Sequence, residues 1–229
     1  MELKPWVKIP SGWIEQGRLS KLQWKAGGDG SDRTAALMSL VALAHATDQE
    51  TGLARVTYDS MCGVTGLSRS KLSNGLEVLE RMHIIERAPK GRSTYQLAKY
   101  NAQFGWAKLP FKSMYSGGRI AAFGEFRLRR PSELDALKLF FLFIARRDRK
   151  MNVANISYDK ISEYSGVSRT KIKSAISLLA ALSLVYTEQV PSSKNEYGMA
   201  NAYRIVGVDS SIHMGTRGRS FDHYDFEQE

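Results

Sequence analysis

The sequence predicts a mainly helical α+β protein built from one module used twice, and three observations carry that expectation. A shift of 100 residues overlays the chain on itself: Trp6-x-Lys8-x-Pro10 meets Trp106-x-Lys108-x-Pro110, Tyr58-Asp59 meets Tyr158-Asp159, and Gly66-x-Ser68-Arg69-x-Lys71 meets Gly166-x-Ser168-Arg169-x-Lys171. Each copy carries three stretches that read as helices, and each closes on two short stretches of strand-forming residues. The expected organisation is a first domain over residues 1–100, a second over 101–208, each with its own N-terminal segment, and a flexible tail over 209–229.

Each copy opens on an aromatic and proline segment, Trp6-Val7-Lys8-Ile9-Pro10 or Trp106-Ala107-Lys108-Leu109-Pro110, which suits a short extended piece ending at the proline. The connectors that follow, Gly27-Gly28-Asp29-Gly30 and Arg127-Leu128-Arg129-Arg130-Pro131, differ between copies and read as loops. A helix comes next. Ala36, Leu37, Leu40, Val41 and Ala44, matched by Ala136, Leu137, Phe140, Phe141 and Ile144, fall at i, i+1, i+4, i+5 and i+8 and predict one broad apolar face.

A short strand, Ala54 to Val56 or Val153 to Ile156, leads to Thr57 or Ser157, either of which can cap a second helix. Asp59 and Asp159 then stand in its first turn, where the helix dipole favours a negative charge. Gly66 and Gly166 supply the left-handed residue of a tight turn between two helices. Ser68 and Ser168 are expected to cap a third helix, with inner face Leu72, Leu76 and Leu79 or Ile172, Ile176 and Leu179. Ile84 to Arg87 with Thr94 to Leu97, and Leu184 to Thr187 with Ala202 to Ile205, read as paired strands. Lys90-Gly91-Arg92 makes a tight turn in the first hairpin. Tyr203 falls 108 residues after Tyr95, so the second hairpin connection, Pro191 to Asn201, is eight residues longer.

Helix, strand, helix, turn, helix and hairpin is the element order of a winged helix-turn-helix, and over residues 33–100 and 133–206 the chain resembles that superfamily twice. In domain number and element order it is similar to plasmid replication initiators. The resemblance implies two tandem winged helix-turn-helix domains arising from an internal duplication. It also implies that the hairpin turns lie over the minor groove or backbone of DNA, a role carried onto Lys90, Arg92 and Lys194.

The chemistry of the third helix agrees. Its exposed start is Arg69, Ser70, Lys71, Ser73 and Asn74 after Ser68, or Arg169, Thr170, Lys171, Lys173 and Ser174 after Ser168. A helix entering the major groove by its N-terminus offers backbone N–H groups to phosphate and long donors to base edges. Arg69 and Arg169 suit bidentate contact with guanine or phosphate, the lysines suit either, and Asn74 suits adenine. The short Ser and Thr side chains permit close approach.

Bulk composition points the same way. The 229 residues carry a formal net charge of +10, and Ser220 to Glu229 holds four acids and no Lys or Arg, so ten plus those four gives +14 on residues 1–219. Such an excess fits a polyanionic partner. A single cysteine, Cys62, excludes an internal disulfide, and the scattered His45, His83, His213 and His223 form no zinc pattern, so no metal or cofactor is expected. Gly27 to Gly30 lacks the lysine of a phosphate-binding loop, and no catalytic triad spacing is present, so no enzymatic activity is expected. No stretch reaches the roughly 18 apolar residues of a membrane span. The four tryptophans, Trp6, Trp13, Trp24 and Trp106, are expected to seal the cores or the contact between the two copies.

The functional expectation is a sequence-specific protein for double-stranded DNA, a plasmid-type replication initiator or transcriptional regulator. It would be cytoplasmic, nucleoid or plasmid associated, without a membrane partner, with replication or transcription machinery as further partners. One chain would reach two half-sites. The alternatives are a dimeric repressor, a DNA segregation or relaxosome adaptor, and a winged-helix scaffold for protein interactions.

Overall fold

The computed structural model describes residues 4–25, 28–88, 90–148, 151–191 and 199–208; the tail over 209–229 and Lys194 lie outside them. Strand β1 (Trp6–Pro10), the one-turn helix α1 (Gly12–Glu15) and a 3-10 turn at Arg18–Lys21 lead to the long helix α2 (Gly30–His45). Then come β2 (Leu53–Arg55), α3 (Tyr58–Thr65), α4 (Arg69–Arg81), β3 (Ile85–Arg87) and β4 (Thr94–Leu97). The second half opens on β5 (Trp106–Pro110), a 3-10 turn at Lys112–Met114, the small hairpin β6 (Tyr115–Ser116) and β7 (Arg119–Ile120), and a 3-10 turn at Ala121–Glu125. It continues with α5 (Pro131–Ala145), β8 (Val153–Asn155), α6 (Tyr158–Ser165), α7 (Arg169–Ala181), β9 (Val185–Pro191) and β10 (Met199–Ile205). The protein is a mainly helical α+β fold.

Each half closes on a three-stranded antiparallel sheet, ordered β2-β4-β3 and β8-β10-β9, in which the last strand lies between the other two. The hairpins differ in length. β3 pairs β4 over Ile85–Arg87, whereas β9 pairs β10 from Val185 opposite Ile205 to Pro191 opposite Met199. Strand pairing therefore continues into the stretch that reads from sequence as a loop. Arg204 reaches across this sheet to Glu188 at 2.6 Å.

The long helices depart from the single broad face that the sequence predicts. Every residue of α2 from Thr34 to His45 is buried, and α5 is buried from Glu133 to Ile144 except at Asp135. The reason is that α2 packs on α4 at one side and on α5 at another, while α5 packs on α7. One apolar core consequently runs through both halves without interruption.

The two N-terminal strands pair with each other. β1 and β5 run antiparallel with Trp6 opposite Pro110, Lys8 opposite Lys108 and Pro10 opposite Trp106. Trp6 stacks on Trp106 with ring centroids 5.9 Å apart and an interplanar angle of 14°. Lys8 sits over the Trp106 ring at 5.3 Å and Lys108 over the Trp6 ring at 4.3 Å, contacts that favour this register by cation–π attraction. The chain beyond each strand then lies on the opposite half. Trp13 of α1 packs against Phe141 of α5, while Phe111 stacks on His45 of α2.

His45 is the polar anchor of that second contact. Its Nε2 lies 2.8 Å from the Pro110 carbonyl oxygen, which can only accept, so Nε2 carries the proton and Nδ1 accepts from the Tyr115 hydroxyl at 3.2 Å. Burial lowers the His45 pKa to about 4, with the Pro110 hydrogen bond opposing the shift.

Candidate nucleic-acid interface

Local chemistry builds the same helix–turn–helix in each half. Thr57 caps α3 by accepting from the Ser60 N–H, and Ser157 caps α6 by accepting from the Lys160 N–H. Gly66 and Gly166 end these helices with φ of 73° and 67°, a left-handed conformation that disfavours a Cβ. Just before each glycine, a buried hydroxyl ties the turn. Thr65 Oγ1 donates to the Met61 carbonyl and accepts from the Leu67 N–H, and Ser165 repeats this with Ile161 and Val167. Gly166 has a second constraint, because a Cβ there would stand 2.9 Å from the Ser20 Cα of the other half.

At the start of α4, Ser68 accepts from the Lys71 N–H as a cap should. Ser168 has the extended backbone of a cap but no side-chain cap bond; its hydroxyl lies 3.3 Å from that of Thr170. That corrects the sequence expectation for Ser168, since a neighbouring hydroxyl competes locally for its Oγ. Arg69 is paired with Asp59, and Arg169 with Asp159. All four side chains are well exposed, so each pair holds its arginine with at most about 1 kcal/mol. The two aspartates therefore orient arginines as well as face a helix dipole.

Beyond the arginines the halves part. In the first, Lys71 Nζ donates to Asp32 Oδ1 and to Ser31 Oγ, both at 2.7 Å, and Asn74 Nδ2 donates to Asp32 Oδ2 at 3.2 Å. Lys71, Ser73 and Asn74 are half-buried as a result. Gly75 makes this possible: a Cβ at that position would stand 2.8 Å from the backbone of Ala35 and Ala36, so only glycine lets α4 lie this close to α2. In the second half the counterparts of Asp32, Asn74 and Gly75 are Ser132, Ser174 and Ala175. Thr170, Lys171, Lys173 and Ser174 all stand exposed, as do Ser168 and Arg169. Asp135, whose carboxyl is pushed up by burial against the pull of Lys138 and Lys171, lies within electrostatic reach of Lys171.

No family model matches this chain, and no curated protein does.

The basic turn of the first hairpin is closed by the Thr94 side chain. Thr94 Oγ1 donates to the Gly91 carbonyl at 2.6 Å and accepts from the Lys90 N–H at 3.2 Å, leaving the Lys90 and Arg92 side chains exposed. Lys194, the third residue assigned to a hairpin turn, lies outside the described residues.

Sequence reasoning missed two groups of cations in the second half. Arg146 and Lys160 join Arg169 around an open cleft of about 850 Å³ bounded by Tyr158, Tyr164 and Tyr203. The Arg146 guanidinium lies 4.3 Å from the Tyr164 ring centroid, and the Tyr203 hydroxyl is buried. Burial pushes the Tyr203 pKa well up, so it stays a neutral donor. The signal was present in the repeat, for the first copy has Ala46, Ser60 and Val64 where the second has Arg146, Lys160 and Tyr164. The other group is the connector Arg127, Arg129 and Arg130, which is exposed at the N-terminal end of α5. Buried Glu133 accepts from the Arg127 and Arg129 N–H groups at 2.9 and 3.2 Å, so this loop is held in place.

Among the described residues no three of His, Cys, Asp and Glu converge as metal ligands, and no helix is long and apolar enough to cross a membrane.

Proposed function

We propose that this chain binds double-stranded DNA in a sequence-specific manner through two winged helix-turn-helix units, as a replication initiator or transcriptional regulator without catalytic activity. One observation carries the reading. The first two turns of α7 present Arg169, Thr170, Lys171, Lys173 and Ser174 to solvent behind a rigid glycine turn, with the Arg146–Lys160 cleft and the Arg127–Arg130 connector as further cation sources in the same half. Groove-reading helices need donors on an exposed N-terminal face, and duplex DNA needs phosphate contacts on either side to fix register. The +10 formal charge supplies the long-range attraction. Arg69 with Ser68 and Ser70 makes the corresponding contact in the first half, and Lys90 and Arg92 the flanking one.

The test is equilibrium binding of the full chain to duplex pools across a range of salt. Affinity is expected to fall steeply, with log K dropping about 0.9 per log salt for each phosphate neutralised. Absence of binding to any duplex at low salt would remove this reading and leave a protein-docking role for the same surfaces.

A further inference from the structure

The pairing of β1 with β5 is self-complementary. Each residue i of β1 meets the repeat equivalent of its own mirror position: Trp6 meets Pro110, Pro10 meets Trp106, and Lys8 meets Lys108, its own counterpart. A heterologous contact between tandem units would not produce this; an isologous contact across a two-fold axis does. The remaining junction contacts obey the same symmetry. The Arg18–Lys21 turn packs on α6, and β7, its counterpart 100 residues on, packs on α3. Trp13 lies on α5, and Phe111 and Tyr115 lie on α2. The halves are thus related by a pseudo-dyad, with N-terminal arms exchanged as in a swapped dimer.

A two-fold axis keeps α4 and α7 at one height along it. Lys71, near the start of α4, bonds Asp32 at the start of α2. Arg33, the next residue of α2, is close enough to Lys138 of α5 to act on its charge, and Lys138 and Lys171 both act on Asp135. Helices α4, α2, α5 and α7 therefore follow one another as packed neighbours. Three steps of about 8–10 Å separate the readers by up to about 30 Å, against about 34 Å for one turn of duplex.

We infer, resting on the DNA-binding reading, that a single chain recognises an imperfect inverted repeat, its two halves reading toward a common dyad on one face of the duplex. Readers related by rotation about a dyad meet the two strands in opposite directions, which a direct repeat does not offer. The repeat is imperfect because Lys173 and Ser174 stand exposed for one half-site, whereas Asn74 is held by Asp32 and leaves Arg69 to read the other.

Selection of bound duplexes from a random pool with the full chain tests this, followed by inversion of one selected half-site at constant spacing and by native mass spectrometry of the complex. The expected results are two related motifs in inverted orientation, one chain per duplex, and an affinity loss of about tenfold or more when one half-site is turned round. Motifs in direct orientation, no loss on inversion, two chains on one site, or one chain bridging two duplexes would each overturn the inference while leaving DNA binding intact. Failure to enrich any duplex at low salt would overturn both. An Arg169→Ala chain, whose substitution is on the exposed start of α7, is expected to lose the preference at one half-site and retain it at the other.

Discussion

The two candidate reading helices start from nearly the same residues and end in different electrostatic states. In α4, Lys71 and Asn74 are spent on Asp32, and Gly75 draws the helix down onto α2. In α7, Ser132 offers no carboxylate, Ala175 stands in place of the glycine, and the donors stand in solvent. Arg146 and the Arg127–Arg130 connector add positive charge to the second half only, while Lys160 is offset by Glu163 at 2.8 Å. The lesson is that a repeated motif fixes where a helix lies, whereas one acid outside the motif decides what that helix can offer. On this account the second half supplies most of the phosphate grip, and the first reads chiefly through Arg69.

The comparison also holds at the junction, where the largest effect is expected. His45 has Ala145 as its counterpart, so only one of the two arm contacts titrates. Its folded pKa of about 4 is below the ordinary 6.5, so the unfolded chain takes up its proton first as pH falls. Stability from this contact is full above about pH 6.5 and declines down to about pH 4, by about 3 kcal/mol in all. Denaturant titrations of the wild type and His45→Gln across that window check the prediction; a slope unchanged by the substitution would mean that the junction does not hold a neutral histidine.

Next in size is the reader itself. Arg169→Ala is expected to cost about 2 kcal/mol of DNA affinity, and to relax specificity at one half-site if the arginine contacts a base. A smaller change of stability is expected from Gly75→Ala. The methyl must displace the Ala35–Ala36 backbone, a strain of about 1–3 kcal/mol offset by about 1 kcal/mol of helix propensity. Thermal unfolding measures the net loss, and a gain in stability would show that α4 does not sit this close to α2. Smallest is Asp32→Asn, which frees Lys71 and Asn74 for under about 1 kcal/mol of stability and is expected to raise duplex affinity several-fold; weaker binding would mean that Asp32 positions the reader productively.

Much of the fold was legible because its signals are local. Thr57, Ser157, Ser68 and the two turn glycines act within three or four residues of themselves, and each stands as its chemistry dictates. Ser168 departs from this only in its hydroxyl, where Thr170 competes. What escaped sequence reasoning depends on partners far along the chain. The aromatic and proline segment Trp6–Pro10 announces an extended piece without naming its partner, which lies 100 residues away. Asp32 captures Lys71 and Asn74 across 39 and 42 positions. The total burial of α2 was in part visible, since Ala35, Met38, Ala42 and Leu43 are apolar outside the face that was read. The candidate reader residues were placed on the surface in the second half, and Lys71, Ser73 and Asn74 were found half-buried in the first.

The most direct measurement is the salt dependence of binding to one selected duplex by the wild type, by Lys171→Ala/Lys173→Ala and by Lys71→Ala. The double substitution is expected to reduce the slope of log K against log salt by about two, and Lys71→Ala to leave it near the wild-type value. Equal reductions per lysine in the two halves, or a wild-type slope near zero, would contradict the account.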